Sequence, residues 1–394
     1  MSIDSRASNH KLTTSPVSPL GERRKGRSGR KVVSHARRLD PLVAGEGLHT
    51  VCFRSTPHVM SVTTKAPKSI EDIESGVRAG DRVALGRAIT LVESTRPKDQ
   101  AMARDLLKRL MPDTGKAIRI GISGVPGAGK STLIDQFGLN LIQAGHTVAV
   151  LAVDPTSSRT GGSILGDKTR MGRLASESEA FIRPSPAGSN LGGVTKTTRE
   201  TIAIVEAAGF DVVLVETVGV GQSETAVSNM VDVFVVVAIP GAGDELQGIK
   251  RGLLELADII AVNKADSDNV ERANRAATEY RAALHILASG NTAWQPAVLT
   301  MSARDNTGLD TLWEKIGECR SALAEAGVLD ERRAEQAATW MREIFEQRLL
   351  AAFKGGRRAA REYQDIEGQV REGTISPAEG AAALAELVGL EDPE

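Results

Sequence analysis

The chain is poor in the residue types that most often bind metals or form covalent cross-links. Its 394 residues include two cysteines, Cys52 and Cys319, which are too few for a disulfide-rich scaffold or for a zinc site with four cysteine ligands. We expect both to be plain thiols in a reducing compartment. Four of the six histidines lie in the first 59 residues, which leaves His146 and His285. We expect these two to be ordinary surface or helix residues rather than metal ligands.

Long apolar runs are also missing. A membrane-spanning helix needs about 18–20 consecutive apolar residues, and no run in this sequence approaches that length. The first residues contain no apolar segment of the kind that a secretory signal requires. We therefore expect a soluble, cytoplasmic protein with no membrane partner.

The chain has no general excess of positive charge. The formal net charge is −1. Residues 1–59 carry 11 Lys and Arg against 4 Asp and Glu, whereas the remaining 335 residues carry 38 against 46. Because binding to a nucleic-acid backbone depends on clustered positive charge, the acidic body of the chain argues against a nucleic-acid partner.

Residues 1–59 are predicted to form a disordered basic extension. The stretch Gly21–Lys31 is basic, and the residues around it are rich in Ser and Arg and show no apolar periodicity. Three interpretations are open: an organelle transit peptide, an interaction tail, or translation assigned from a start codon that lies too early. We favour the last, with Met60 as the first residue, although composition alone does not decide between translation and targeting.

Three regions follow this extension. Residues 60–114 show helical periodicity, with Ser69 as an N-cap and Asp72 at the third helical position. Residues 115–328 alternate apolar runs with helical segments, which is typical of an α/β domain with a mostly parallel central sheet. Six strands are predicted: Ile118–Ser123, Thr147–Asp154, Asp211–Glu216, Val231–Pro240, Ile259–Asn263 and Ala297–Ser302.

Residues 329–394 are predicted to be helical to the end of the chain. Ser376 and Pro377 have the pattern of an N-cap and a first helical residue, and they open a last helix through Leu387. An apolar stripe with a spacing of four residues precedes this helix. Its members are Met341, Phe345, Leu349 and Phe353.

The strand Ile118–Ser123 leads into a phosphate-binding motif. The sequence GVPGAGKS fits G-x-x-x-x-G-K-[ST] and opens a predicted helix, Ser131–Leu141. Glycines allow backbone N–H groups to surround phosphate oxygens, and the helix N-terminus adds a positive dipole. Lys130 would neutralise the β- and γ-phosphates, and the Ser131 hydroxyl would bind Mg²⁺. The predicted phosphate-binding residues are Gly124, Val125, Pro126, Gly127, Ala128, Gly129, Lys130, Ser131 and Thr132.

The base is predicted to be guanine. Asn263, Lys264 and Asp266 form an N-K-x-D sequence at the end of a later strand, and the Asp266 carboxylate can accept from both N1–H and N2–H₂ of guanine. Adenine has no donors there, so a buried carboxylate would stay unpaired. A second loop follows the next strand and would bring a backbone N–H to the guanine O6. Its residues are Ser302, Ala303 and Arg304. The predicted nucleotides are therefore GTP and GDP.

The strand that ends in Glu216 indicates slow hydrolysis. A carboxylate at this place would hold Mg²⁺ through water. Small regulatory GTPases have D-x-x-G-Q here, whereas this chain has Val220 in place of the water-orienting glutamine and Gln222 displaced by two residues. Without a positioned glutamine, hydrolysis depends on a group from elsewhere.

Two Gly-containing loops supply candidate groups. One follows the strand that ends at Asp154 and contains Asp167 further along, and the other ends at Lys250. Glycines give both loops the backbone freedom that a switch needs.

These motifs together resemble one known family. The resemblance covers residues 60–394 and is to the MeaB type of metallochaperone GTPase, a chaperone of adenosylcobalamin-dependent methylmalonyl-CoA mutase. The segments that carry it are Gly124–Thr132, Val153–Arg159, Gly161–Met171, Glu216–Glu224, Gly241–Lys250 and Asn263–Asp266.

The resemblance implies a function that the residues alone did not show. It implies a homodimer built by the C-terminal helices, and binding to the mutase. It further implies that the protein gates adenosylcobalamin loading and protects the mutase from inactivation. The family's intrinsic GTPase activity is weak and is stimulated by the mutase. The mutase is identified only through the resemblance, and related mutases that act on isobutyryl-CoA or ethylmalonyl-CoA stay open as partners.

The resemblance also implies roles for loop residues. Asp154 and Glu216 match the Mg²⁺-side acids of the family, and Asp167 matches a switch I residue. A further switch loop that responds to the partner is matched by Asp244, Gln247 and Lys250. How partner binding would reorder these loops does not follow from the sequence.

Three alternative functions remain, one within the same class of GTPase and two from other classes. A nickel chaperone GTPase for urease or hydrogenase would carry His-rich or Cys-His sites, which are scarce here. A protein kinase of a transport system is a label once given to relatives of the family, but no separate phospho-acceptor site is readable. The third alternative is an interaction module that responds to nucleotide without hydrolysing it.

Overall fold

The computed structural model describes residues 69–153, 171–184, 191–217, 223–240, 251–287, 293–355, 357–387 and 389. The predictions for residues 1–59 lie outside the described residues. The same is true of the predictions for Asp154, Asp167, Val220 and Lys250, and for the rest of the loop that includes Asp244 and Gln247.

A seven-stranded sheet forms the centre of the fold. Its strands are β1 (Ile118–Gly124), β2 (Val148–Val153), β3 (Ala180–Arg183), β4 (Val212–Thr217), β5 (Val233–Ala238), β6 (Ile259–Val262) and β7 (Ala297–Thr300). Their order is β3-β2-β4-β1-β5-β6-β7, and each neighbouring pair is parallel. The predicted parallel α/β fold is confirmed. β3 was not predicted; its short run, AFIR, ends in a charged residue, and only Ala180 in it is buried.

Twelve α-helices lie within the described residues. They are α1 (Ile70–Arg78), α2 (Arg82–Glu93), α3 (Pro97–Leu110), α4 (Lys130–Gln143), α5 (Leu191–Ala207), α6 (Ser223–Ser228), α7 (Arg251–Leu256), α8 (Val270–Leu287), α9 (Leu309–Glu325), α10 (Val328–Gly355), α11 (Arg357–Arg371) and α12 (Pro377–Leu387).

Side-chain caps fix two of the predicted helix starts. Ser69 Oγ accepts from the Asp72 N–H at 3.1 Å, and the Asp72 carboxylate accepts from the Ser69 N–H at 3.1 Å. Ser376 and Glu379 form the same reciprocal pair at the start of α12. Each capping box satisfies two backbone donors that a helix start leaves without an intrahelical acceptor.

Both faces of the sheet are buried, because alternate strand residues enter two different cores. On β4, Val213 and Val215 pack in a core with α1–α3, α5 and α8. Val212 and Leu214 pack in a second core with α4 and α9. This explains why the strands are apolar at nearly every position, since parallel sheets are covered by helices on both faces.

The N-terminal helices belong to the first of these cores. Leu85, Ile89, Leu106 and Leu110 are fully buried there, in the same cluster as Ile204 of α5. Burying a leucine or isoleucine side chain contributes about 1.5–3 kcal/mol, so α1–α3 are an integral layer of the fold.

Arginines attach the start of α10 to the amino ends of the strands. Arg333 donates to both carboxylate oxygens of Asp232 at 2.8 and 2.7 Å and to the carbonyls of Gly115 and Ala117. Arg332 contacts both carboxylate oxygens of Asp258. Arginine is suited to this role because its planar fork matches a carboxylate.

Further along α10 the first two residues of the predicted apolar stripe are exposed. Met341 is 64% exposed and Phe345 is 62% exposed, while Leu349 is half-buried and the Phe353 side chain lies outside the described set. Large apolar side chains that face solvent together are typical of an interaction surface.

The cysteine and the two histidines that the structure describes have ordinary environments. Cys319 is buried in α9, and burial raises the pKa of its thiol. His146 Nδ1 lies 2.7 Å from Asp211 Oδ2, and His285 is exposed near the end of α8. Across the described ranges, no three His, Cys, Asp or Glu side chains are grouped as a metal site. In those ranges no helix is long and apolar enough to cross a membrane.

Candidate nucleotide-binding site

The predicted nucleotide-binding residues follow strands that end at one edge of the sheet. The phosphate loop follows β1, Glu216 lies near the end of β4, and the loops that begin at Asn263 and Ser302 follow β6 and β7. Parallel strands place their carboxyl ends at the same edge, and ligands of open α/β sheets bind there. The phosphate loop and the loop after β7 are connected through Asn263.

Glycine is required at two positions of the phosphate loop. Gly124 has φ +143°, and a Cβ there would lie 2.1 Å from the Val237 carbonyl oxygen on the neighbouring strand β5. Gly129 has φ +88° and is the N-cap of α4, and a Cβ there would lie 2.7 Å from Asn263 Nδ2. The motif glycines therefore permit both the left-handed backbone and the close approach of β5 and Asn263.

Lys130 lies inside the phosphate loop. Its Nζ donates to the Gly124 carbonyl at 2.7 Å and to the Val125 carbonyl at 3.3 Å, and the residue is only 7% exposed. Burial lowers the pKa of its ammonium group, while the carboxylates of Glu216 and Glu224 act in the opposite direction. The loop thus encloses the ammonium group of Lys130. A phosphate oxygen can replace the two carbonyl oxygens that this group contacts.

Ser131 and Glu216 form a pair of hard oxygen donors beside this cation. Ser131 Oγ donates to Glu216 Oε1 at 3.2 Å, and Glu216 is 6% exposed. Beneath them the Thr217 hydroxyl donates to the Ser123 hydroxyl at 2.9 Å, with both residues fully buried. A hydroxyl beside a buried carboxylate is a donor set that Mg²⁺ prefers, so the residues present fit this ion.

Asn263 joins the phosphate loop to the loop after β7. Its Nδ2 donates to the Ala128 carbonyl at 2.8 Å, and its Oδ1 accepts from the Ala303 N–H at 3.0 Å. The side chain is buried, so both bonds form away from water. One amide therefore sets the distance between the phosphate-binding backbone and the base-binding loops.

Asp266 is oriented by the loop that follows β7. Ser302 Oγ donates to Asp266 Oδ2 at 2.9 Å, and Arg304 Nη2 lies 3.2 Å from Asp266 Oδ1. Ser302 also pairs with Thr307 through two backbone bonds of 2.9 and 3.0 Å, which close the loop on itself. Lys264, between the two anchored residues, is exposed and has φ +63°.

The structure therefore brings together most of the predicted residues that it describes. Gly124–Ser131 contact Asn263 and Glu216, and Ser302–Arg304 contact Asn263 and Asp266. Thr132 is exposed on the first turn of α4. The contribution of each residue to nucleotide binding stays a prediction, since these contacts are made within the protein.

Sequence reasoning missed residues that fix the surroundings of the site. Asp135 of α4 accepts from Arg173 Nε at 2.8 Å and from the Leu174 N–H at 3.0 Å, which attaches the turn after residues 154–170 to α4. The Thr217–Ser123 pair was also missed. Ser123 and Thr217 could have been noticed in the sequence, because each is a polar residue at the end of an apolar strand. A lone Asp in a helix gave no comparable signal.

Comparison with known proteins identifies relatives of similar length. The family model described as "Methylmalonyl Co-A mutase-associated GTPase MeaB" matches residues 85–358. The Escherichia coli protein named GTPase ArgK is 47% identical over 312 residues, which cover 79% of this chain and 94% of the relative. The Mus musculus protein named methylmalonic aciduria type A homolog, mitochondrial, is 41% identical over 347 residues, which cover 85% of this chain and 84% of the relative.

A solved structure shares the fold. The crystal structure of an LAO/AO transport system kinase matches with a TM-score of 0.63 and 40% sequence identity, covering 81% of this chain and 97% of that chain. The match therefore extends well beyond the phosphate loop. Since the family model spans most of the chain and relatives named as GTPases align along nearly their whole length, this chain belongs to the MeaB family of GTP-hydrolysing P-loop proteins.

Proposed function

We propose that this GTPase is a nucleotide-dependent chaperone of an adenosylcobalamin-dependent methylmalonyl-CoA mutase, which gates cofactor loading into the mutase and protects it from inactivation. The observation that carries the proposal is the Asn263 side chain, which connects the phosphate loop to the base-binding loop in a member of the mutase-associated family. A relative named for methylmalonic aciduria supports the same partner.

Guanine is the base that the loop geometry favours. The Asp266 carboxylate is held by Ser302 and Arg304, so its orientation is set before a base arrives. A carboxylate in this place can accept two bonds from guanine N1–H and N2–H₂, and adenine offers neither donor. Two charge-assisted bonds are worth about 1.5–3 kcal/mol each, which is sufficient to discriminate between the bases.

Mg²⁺ would be held by Ser131 and Glu216, with Asp154 as a further proposed acid. When bound, this ion would neutralise charge that develops on the transferred phosphoryl group. Lys130 would contribute a second positive charge from within the loop. Hydrolysis without a partner is proposed to be slow, because Val220 replaces the glutamine that orients water in small regulatory GTPases.

The regions on either side of the GTPase core have separate proposed roles. Residues 60–114 form a lead-in that packs on the α/β region 115–328. Residues 329–394 form a dimerisation region whose contact surface includes the exposed Met341 and Phe345. A second copy of the chain would cover both side chains.

The dimer can be tested by placing charge on this surface. Met341→Asp combined with Phe345→Asp should give a monomer that still binds GTP, because both residues are already exposed and lie on α10, away from the phosphate loop in sequence. Light scattering after gel filtration measures the mass, and Arg342→Glu on the same helix is the control. A variant that stays dimeric would show that this surface is not the interface.

Partner stimulation is tested by single-turnover GTP hydrolysis with and without the mutase. Lys250→Ala should keep GTP affinity and the basal rate but lose stimulation, since a cation placed at the phosphoryl group can supply about 10³–10⁵ in rate. Asp154→Ala should reduce both rates. If Lys250→Ala is stimulated like the parent protein, Asp167 or a residue of the mutase supplies the charge instead.

The same assay separates a switch from a kinase. With GTP labelled on the γ-phosphate, a switch GTPase releases label to water as inorganic phosphate. A kinase would transfer the label to a protein. Label found on the mutase or on this chain would contradict the proposed function.

A further inference from the structure

Two buried hydroxyl groups lie between the strands that lead into the nucleotide-binding site. The Thr217 hydroxyl donates to the Ser123 hydroxyl at 2.9 Å, and both residues are fully buried. Ser123 precedes Gly124, the first glycine of the phosphate loop, and Thr217 follows Glu216. The pair therefore connects the strand that opens the phosphate loop with the strand that carries the proposed Mg²⁺ acid.

This bond extends the pairing of β1 and β4 beyond their backbone ladder. The last paired residues of the two strands are Ile122 and Glu216. Further on, β1 stays paired with β5 as far as Gly124, and β4 stays paired with β2 as far as Thr217. Ser123 and Thr217 are the next positions in the β1–β4 register, and they are connected through their side chains. The hydroxyl pair thus holds the two strands together at the point where their ladder ends.

The pair lies on the opposite face of the sheet from the proposed Mg²⁺ ligands. Thr217 alternates along β4 with Val213 and Val215, which pack in the core that includes α5. Glu216 points the other way, and its carboxylate accepts from Ser131 Oγ of α4 at 3.2 Å. Successive side chains of a strand point to opposite faces. An effect of the Thr217 hydroxyl on an ion held by Glu216 must therefore pass through the backbone.

The separation of Ser131 and Glu216 depends on the spacing of these two strands. Ser131 belongs to the helix that follows the phosphate loop after β1, and Glu216 lies on β4. Mg²⁺ requires near-octahedral oxygen ligands at about 2.0–2.1 Å, so a change of strand spacing at this end would place one ligand wrongly relative to the other. A buried hydroxyl bond resists such a change, because separating its partners leaves both groups unpaired away from water.

We propose that Ser123 and Thr217 are positioning residues for GTP hydrolysis, which hold β4 at the distance from the phosphate loop at which Ser131 and Glu216 together bind Mg²⁺. The inference rests on the proposed Mg²⁺ site, and it does not depend on the identity of the partner protein. A bond with only a structural role would change the stability of the protein. A positioning bond also changes the affinity of the folded protein for Mg²⁺.

The test uses variants of the full chain that remove one or both hydroxyl groups. Thr217→Val keeps a branched side chain but leaves the Ser123 hydroxyl without its donor, and Ser123→Ala removes the acceptor. The double variant leaves neither group of the pair unpaired, so its free energy of unfolding should return towards the parent value. Denaturant unfolding measures the stability of each protein.

Mg²⁺ binding is measured through the affinity for a fluorescent, non-hydrolysable GTP analogue over a range of Mg²⁺ concentrations. The Mg²⁺ concentration that gives half of the gain in affinity should rise about three- to tenfold in each single variant, the factor that corresponds to one net hydrogen bond. It should stay raised in the double variant although stability recovers. Affinity in excess EDTA should be unchanged, because the phosphate loop keeps its own contacts with Lys130 and Asn263.

Two variants control for the substitution itself. Thr217→Ser retains the hydroxyl and should keep the Mg²⁺ dependence of the parent protein. Thr201→Val removes another buried hydroxyl, whose bond of 2.7 Å runs to the Thr197 carbonyl within α5. It should lower stability and leave the Mg²⁺ dependence unchanged, because that bond joins no strands.

Two results would overturn the proposal. If the Mg²⁺ dependence of the double variant returns to that of the parent together with its stability, the pair is only a structural bond. If affinity in EDTA falls by the same factor as affinity in Mg²⁺, the pair supports the phosphate loop as a whole and not the ligands of the ion. Should Thr217→Val fail to fold, the double variant gives the same two comparisons.

Glu216→Gln separates these results from a failure of the proposed Mg²⁺ site. An unchanged Mg²⁺ dependence in Glu216→Gln would show that this carboxylate does not hold the ion, which removes the basis of the inference. A changed dependence in Glu216→Gln, combined with an unchanged one in Thr217→Val, would contradict the role of the hydroxyl pair alone.

Discussion

The two edges of the central sheet differ in how their buried polar groups are paired. At the carboxyl edge, Asn263 and Asp266 are held by protein partners on neighbouring loops. At the amino edge, Arg199, Gln336 and Trp340 each retain a buried polar atom that no described residue pairs. The polar groups of the carboxyl edge are therefore fixed by contacts within the protein, whereas the amino edge leaves three buried polar atoms unpaired within the described ranges.

The largest expected effect would come from breaking the pre-formed carboxyl edge. Gly124→Ala would place a Cβ 2.1 Å from the Val237 carbonyl oxygen, so β1 and β5 could not keep their spacing. We expect GTP binding to be lost and the free energy of unfolding to fall by about 4 kcal/mol or more. Isothermal titration with GTP and denaturant unfolding measure the two effects.

Gly145→Ala is the matched control for this substitution. Gly145 also has a positive φ, +93°, but a Cβ there would meet nothing within 4 Å. The change should therefore cost only the backbone strain, about 1–2 kcal/mol, and should leave GTP affinity unchanged. Equal losses in the two variants would show that backbone strain, and not contact with β5, explains the first result.

A smaller effect on stability is expected from Glu200 of α5, the helix that also contributes Arg199. Glu200 is 6% exposed, its Oε2 lacks a partner in the described ranges, and burial raises the pKa of its carboxyl from 4.5 to about 7, opposed by Lys196. Below pH 4.5 the carboxyl is protonated in both states. Between pH 4.5 and about 7 the unfolded chain ionises first, so stability falls as pH rises.

Glu200→Gln should remove this pH dependence. The parent protein should lose up to about 3 kcal/mol of unfolding free energy between these pH values, and the variant should lose correspondingly less. Denaturant unfolding across the pH range makes the comparison, with Glu279→Gln on an exposed face of α8 as control. Parallel curves for Glu200→Gln and the parent would contradict a protonated Glu200 in the folded state.

An effect of similar or smaller size is expected on base recognition. Asp266→Asn should weaken GTP binding by about 1.5–3 kcal/mol, since an amide cannot accept two bonds from guanine. Relative affinity for xanthosine triphosphate should rise, because its C2 carbonyl can accept from the new amide. Titration with labelled nucleotides measures both.

Arg304→Ala distinguishes the contribution of the Asp266 carboxylate from that of the arginine that contacts it. Arg304 is 66% exposed, so solvent screens its ion pair with Asp266 and its loss should change GTP affinity far less than Asp266→Asn. Ser302 would still hold the carboxylate. Unchanged GTP affinity in Asp266→Asn would show that this residue does not contact the base.

Local sequence patterns predicted the parts of the fold that depend on neighbours in the chain. The Ser69–Asp72 cap is a contact between residues three apart, and the phosphate-loop glycines precede a helix by a fixed spacing, so both are readable from the sequence. The buried strands were readable because parallel strands are apolar at nearly every position. The predicted strand ends differ from the observed ones by up to two residues, as for Val231–Pro240 against the observed Val233–Ala238.

The parts that were not predicted depend on distant residues. Thr201 and Arg199 of α5 are polar residues of the kind that usually face solvent, yet both are buried. Arg199 is covered by α10, whose Gln336 carbonyl it contacts at 2.7 Å across 137 positions of the chain. The double role of Asn263 was missed for the same reason: its partners Ala128 and Ala303 lie 135 and 40 residues away. A sequence motif identifies a residue, but it does not show which loops the side chain of that residue connects.

The contact between Arg333 and Asp232 has a consequence for ionic strength. Asp232 is fully buried and Arg333 is 20% exposed, so dissolved ions cannot approach the pair closely. By contrast, Arg342 and Glu335 further along α10 are 57% and 70% exposed. At about 1 M salt, where screening acts over roughly 3 Å, the outer pair should lose its attraction while the inner pair persists. The first turns of α10 should then stay attached to the sheet in concentrated salt.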